Sequence, residues 1–198
     1  MYTEEEIKKV AVYCASSSRL RDCFYEDAYR VGELLAEAGK EVIYGAGHMG
    51  LMGKMADGVL ARGGKLTGVI PQFMIDQGWH NRKCSDMVVT KDMADRKTWI
   101  WQHSDALLAL PGGIGTLDEL SEVLVLKQLG IVTQPIVLLN TEGFYEPFVK
   151  MIEKMIEEQF MLDFHRDMFS VVNKPEHIIP AIMESAKWSK DSLKKAKF

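Results

Sequence analysis

A chain of 198 residues, 47% apolar and 26% charged, has the size and composition of one folded domain, which argues against a disordered, collagenous or coiled-coil protein. Its net charge of −4 gives no overall basic footprint for nucleic acid. Three cysteines without a CxxC pair argue against a disulfide framework or zinc site, the start MYTEEEIKK is too acidic for a signal peptide, and the apolar runs are too short to span a membrane, so a cytoplasmic protein is expected.

Lys9–Cys14 reads as a first strand, followed by a helix over Asp22–Ala38 with Val31, Leu34, Leu35 and Ala38 at helical spacing. Gly39 is placed to end that helix. A second strand (Glu41–Tyr44) and helix (Gly50–Ala61) precede a third strand, Leu66–Ile70, closed by Pro71. Residues 72–85 are irregular or hold a short helix. Met87–Thr90 is a fourth strand, Met93–His103 a helix, Asp105–Leu110 a fifth strand and Gly115–Gln128 a helix. Pro135–Leu139, a helix over Phe144–Glu158, a seventh strand at Phe169–Val172 and a last helix, Pro175–Lys187, complete the pattern. Alternating apolar strands and helices predict a parallel sheet covered on both faces, a doubly wound, Rossmann-like α/β domain over residues 1–187. Ligands of such sheets bind at the C-terminal strand ends, where the strand order switches. Residues 188–198 are basic, lack a core stripe and read as a frayed or loose tail.

Two glycine loops leave strands and open helices. The first, Gly45-Ala46-Gly47-His48-Met49-Gly50, fits GxGxxG, but it follows the second strand, and the next strand ends Val69-Ile70-Pro71 with no acid for a ribose 2′-hydroxyl. A nicotinamide dinucleotide site is therefore disfavoured, and Gly45 and Gly47 are candidates for close backbone approach to some other anion. The second loop, Pro111-Gly112-Gly113-Ile114-Gly115-Thr116, lets helix-start amides and the Thr116 hydroxyl face a phosphate. It lacks the Gly-Lys-Ser/Thr of a Walker A loop. Ser16, Ser17 and Ser18 follow the first strand, so all three loops converge on one sheet edge. That convergence suggests a phosphorylated sugar or nucleotide.

Glu119 falls one turn into the helix after the second loop, and Glu122 follows at i+3. Carboxylates beside a ribose could stabilise an oxocarbenium-like sugar, activate water or bind hydroxyls. Asp118 is given a helix-dipole or solvent role. Arg96 could clamp phosphate or sugar through its fork of donors, with Lys97 beside it.

These segments resemble the LOG ("Lonely Guy") family, cytokinin riboside 5′-monophosphate phosphoribohydrolases often labelled lysine decarboxylase-like. Pro111–Glu119 (PGGIGTLDE) matches the family's PGGxGTxxE, and Met93–Lys97 matches its arginine-lysine segment. Tyr44–Gly53 (YGAGHMGLMG) resembles YGGGxxGLMG, and Tyr13–Ser18 the opening loop, so the likeness runs from about Val10 to Val172. The resemblance implies hydrolysis of a purine nucleoside 5′-monophosphate to base and ribose 5-phosphate, without metal or organic cofactor. It implies Glu119 and Arg96 as the catalytic pair and Gly112, Gly113, Gly115 and Thr116 as the phosphate loop. A homodimer with its site near the interface is also implied. Ala46 departs from the family's usual glycine, and its methyl is expected to narrow backbone approach to the ligand.

The rival is a nucleotide or molybdenum-cofactor carrier on the same scaffold, which would bind without releasing base. Lysine decarboxylation is disfavoured, because Lys54, Lys97 and Lys127 stand in no recognisable pyridoxal phosphate context. The five histidines show no metal spacing, though His48 sits in a loop that should face the ligand. Met49, Met52 and Met55 read as packing, Cys14 as a buried small residue, and Trp79 as either a cover for a base or surface packing.

Overall fold

The computed structural model describes residues 1–191 and forms a doubly wound α/β sandwich. Seven strands make one sheet: β1 (Lys9–Tyr13), β2 (Glu41–Tyr44), β3 (Leu66–Pro71), β4 (Asp86–Thr90), β5 (Ala106–Ala109), β6 (Ile136–Leu139) and β7 (Ser170–Val172). The order is β4-β3-β2-β1-β5-β6-β7 with every pairing parallel. The chain builds outward from β1 to β4, then crosses back to place β5 on the other side of β1. The switch point therefore lies between β1 and β5.

The helices are α1 (Asp22–Glu37), α2 (Gly50–Ala61), α3 (Gln72–Asp76), α4 (Met93–Gln102), α5 (Ile114–Gln128), α6 (Glu146–Glu157) and α7 (Ile178–Glu184). Alternation along β1 feeds two cores. Val10 and Val12 join Val31, Leu35, Met55 and Ile182 on the face covered by α1, α2 and α7. Ala11 and Tyr13 join Ile100, Leu120, Val123 and Tyr145 on the other face. Burying a valine- or leucine-sized side chain contributes about 1.5–3 kcal/mol, so a register slip that swapped the two faces would be strongly opposed.

The expected strands and helices are present, most within two residues of their predicted ends. The last helix is shorter than the predicted Pro175–Lys187, since Pro175–His177 forms a 3₁₀ turn and α7 ends at Glu184. The expectation of a loose tail from residue 188 fails at its first residue. The Trp188 indole N–H donates to the Lys127 carbonyl (2.7 Å), and its ring stacks on Phe164. A lone tryptophan makes no periodic stripe, so the docking left no pattern to read. Residues 192–198 of the predicted tail lie outside the described residues. No helix among the described residues is long and apolar enough to cross a membrane.

Candidate active site

The three loops after β1, β2 and β5 are tied together at Ala15. Its N–H donates to the Pro111 carbonyl (3.2 Å), and its own carbonyl accepts from the amides of Leu51 (2.9 Å) and Met52 (3.2 Å). Above this knot opens a cavity of about 490 Å³ at the C-terminal edge of the sheet, within the range of small-molecule sites. Ser16, Ser17, Gly113, Gly115 and Thr116 line it, together with Arg96 and Glu119.

Arg96, from α4, and Glu119, from α5, lie 23 residues apart in sequence and meet at 2.9 Å between Nη1 and Oε1. The Arg96 Nε–H also donates to the Val69 carbonyl at 3.0 Å. Both side chains are almost fully buried, at 4% and 7% exposure. Burial pushes the Glu119 carboxyl above its ordinary range, and the Arg96 guanidinium opposes that rise. The spacing alone could not show this pairing. It is a carboxylate-guanidinium couple held out of water at the floor of a cavity.

Gly112 lies beneath the Thr116 side chain: a Cβ on Gly112 would stand 2.1 Å from the Thr116 hydroxyl oxygen. Gly112 therefore serves by admitting Thr116 and does not line the cavity itself. A Cβ on Gly113 or Gly115 would meet nothing within 4 Å, and neither residue has a positive φ. No side chain caps the start of α5 at Gly113, so the first amides of the helix have no capping acceptor.

Gly45 and Gly47 behave differently. A Cβ on Gly45 would lie 1.8 Å from Nη2 of Arg96, and one on Gly47 would lie 2.6 Å from the Met52 sulfur. Both line the cavity, but the space their missing side chains leave is filled by the protein. Close approach to an anion is not needed to explain them.

Two predicted site residues, Lys97 and Glu122, stand elsewhere. The Lys97 ammonium bridges Asp118 (3.1 Å) and Glu122 (2.5 Å), and neither Lys97 nor Glu122 lines the cavity. The expected Glu119–Glu122 pair is thus not brought together on the cavity: Glu119 is paired with Arg96 instead. Glu122 is one turn farther along α5 and is held there by Lys97. Asp118, given only a dipole role, does line the cavity rim.

The Ala46 methyl does not narrow the site. Ala46 is fully buried, adopts φ +57° and points towards β3, where a Cβ on Gly68 would lie 2.8 Å from it. The sequence also gave no lining role to Met49, Met74, Met93 or Ile70. Their signal was obscured because methionine and isoleucine also fit an ordinary core. Cys14 lines the floor, and burial pushes its thiol well up, which keeps it neutral. Among the described residues, no three His, Cys, Asp or Glu side chains gather as metal ligands.

The family model described as "possible lysine decarboxylase" matches residues 52–182. A cytokinin riboside 5′-monophosphate phosphoribohydrolase of Arabidopsis thaliana is 36% identical over 166 residues, covering 84% of this chain and 73% of the relative. A probable enzyme of the same name from Oryza sativa subsp. japonica is 33% identical over 184 residues, 93% and 75% of the two chains. Among solved structures, a molybdenum cofactor binding protein from Rippkaea orientalis superposes with TM-score 0.68 at 19% identity, covering 89% and 95% of the two chains. At that identity the likeness shows the shared fold. The chemistry in the family model's description would use a Schiff-base lysine on pyridoxal phosphate, and the residues do not fit it. No lysine among the described residues lines the cavity: Lys97 is taken by its two carboxylates, and Lys127 is buried at the far end of α5 with its ammonium on the Gln134 carbonyl.

Proposed function

The chain belongs to the LOG family, and from that premise we propose that it hydrolyses the N-glycosidic bond of a purine nucleoside 5′-monophosphate, adenosine or cytokinin type, to free base and ribose 5-phosphate. The observation that carries this reading is the buried Arg96–Glu119 couple at the floor of a cavity whose rim holds the uncapped start of α5. The phosphate sits on the amides around Gly113, Gly115 and Thr116, with the Ser16 and Ser17 hydroxyls beside it. The anomeric carbon then faces Glu119.

As the bond from C1′ to the base nitrogen lengthens, its electron pair leaves with the base, and the sugar becomes oxocarbenium-like. The Glu119 carboxylate stabilises that positive charge and orients a water whose oxygen bonds to C1′. The proton lost by the water balances the negative charge on the departing base. Arg96 fixes the carboxylate and holds the substrate. The step needs only water, which fits the absence of a cofactor role in this reading.

Purified protein incubated with AMP and with a prenylated AMP, followed by chromatography, is expected to release base and ribose 5-phosphate. Glu119→Gln should lower turnover about 10²–10⁴-fold while nucleotide still binds. The acid limb of the rate profile should lie above pH 4.5, the ordinary value for this carboxyl: burial raises the pKa, and activity falls as pH drops through it. Full activity in Glu119→Gln would remove the residue from its role. Nucleotide binding without base release by the wild type would leave a carrier.

The same reading includes a homodimer. Ile114, Val125 and Leu129 are 85%, 54% and 40% exposed and fall on one stripe that runs along α5 to its C-cap, Leu129. The stripe begins between cavity-lining Gly113 and Gly115, which would set a second copy beside the cavity mouth. Sedimentation should give twice the chain mass, and a monomer would refute this part. All three cysteines are free, which suits the reducing cytosol expected from the sequence.

A further inference from the structure

We propose that Trp79 is a specificity-determining residue that stacks on the base of the bound nucleotide, and that His48 is the positioning residue that holds it there. The inference rests on the nucleotide reading above and says which wall of the cavity takes the base.

Strand order divides the cavity by chemistry. Gly113, Gly115 and Thr116 follow β5, while Met49 and Met52 follow β2, and Ile70, Met74 and Trp79 lie on or after β3. From β5 through β1 and β2 to β3 is three strand spacings, roughly 14 Å. A helix start and hydroxyls therefore stand at one end, and thioethers and an indole at the other. Arg96 and Glu119 join the two sides, since Arg96 rests on the Val69 carbonyl of β3 and Glu119 belongs to the helix after β5. A ligand with a phosphate at one end and a flat base at the other matches this polarity. Glu119 then falls between the two, where the glycosidic bond would be.

Trp79 is too exposed to be core, at 50%, yet it lines the cavity. Its backbone is fastened at consecutive residues to the loop after β2. The His48 Nδ1 lies 3.0 Å from the Trp79 carbonyl, His80 bridges Gly47, and the Asn81 amide donates to the Ala46 carbonyl at 2.7 Å. A carbonyl only accepts, so His48 carries its proton on Nδ1 in this contact. On the other side the Trp79 amide donates to the Met74 carbonyl at 3.2 Å. An indole half open to water, with its backbone clasped on both sides, is pre-organised for stacking.

The experiment uses AMP and ribose 5-phosphate as probes. In Glu119→Gln, AMP should quench tryptophan emission. In Glu119→Gln/Trp79→Phe the quench should be lost while calorimetry still detects AMP. In the active background Trp79→Ala should raise KM for AMP about tenfold or more with kcat changed far less. Trp79→Phe should restore most of that loss, and His48→Ala should give a smaller rise in KM. The inhibition constant of ribose 5-phosphate, which has no base, should stay the same in all of them. An unchanged KM in Trp79→Ala would overturn the proposal, as would equal weakening of ribose 5-phosphate. If the wild type releases no base from any nucleotide but AMP still quenches through Trp79, hydrolysis fails and the stacking assignment stands.

Discussion

The loop after β2 and the loop after β5 read alike in sequence: each is glycine-rich, leaves a buried strand and opens a helix. Folded, they use their glycines for opposite ends. At Gly45 and Gly47 the room left by the missing side chain is taken by Arg96 and Met52. At Gly113 and Gly115 the room is empty, although the backbone there would accept any residue. A glycine explained by its protein neighbours is architectural. One that nothing in the protein explains points outward, to something that binds. The first loop makes room for Arg96 and clasps the backbone at Trp79, and the second keeps space at the start of a helix.

The largest test of that contrast is Gly45→Ala. The new methyl would overlap Nη2 of Arg96, and the guanidinium is not free to retreat, because it is buried and bonded to Glu119 and Val69. Displacing it leaves Glu119 buried without its partner. Breaking a buried ion pair costs about 3–5 kcal/mol. Denaturant unfolding should show a loss approaching that size, and kcat/KM should fall about 100-fold or more. A variant with native stability and activity would mean that Gly45 does not make room for Arg96.

Gly115→Ala should separate stability from activity. Alanine is the better helix former, by up to about 1 kcal/mol, and its methyl meets no protein atom. The variant should be as stable as the wild type or about 0.5 kcal/mol more so, while KM for nucleotide rises about tenfold. An unchanged KM would show that the empty room beside α5 is not ligand space.

How far this could be read in advance follows from range. The strands were legible because each is a short apolar run between turn residues, such as EVIY and ALLA, and the sheet edge followed from their order. The site was legible as a set of loops, because every loop leaves the same edge. What failed depended on contacts between segments distant in sequence. Glu122 at i+3 from Glu119 reads as its companion, but Lys97, on another helix, holds it away. Trp188 reads as tail until it meets Lys127 and Phe164. Residues 79–81 show no periodic pattern, because their order comes from bonds to the loop at Ala46–His48.

Ala46 provides the smallest and finest test, since it is the one non-glycine in the first loop held at positive φ. Left-handed backbone costs an alanine about 1–2 kcal/mol, but the buried methyl removed in Ala46→Gly contributes a similar amount. The single substitution should therefore change stability by less than about 1 kcal/mol. Gly68→Ala should destabilise by about 1–3 kcal/mol, because its methyl would approach the Ala46 methyl at 2.8 Å and the Cys84 sulfur at 2.9 Å. Combining the two relieves the first of these contacts. The double variant should recover about 0.5–2 kcal/mol relative to the sum of the singles, a coupling of the size expected for touching residues. Strict additivity would mean that the methyl does not face β3, and the expectation that it crowds the ligand would return. Coupling of the expected sign would place Ala46 with Gly45 and Gly47, as a residue whose side chain, or lack of one, is set by the protein around it.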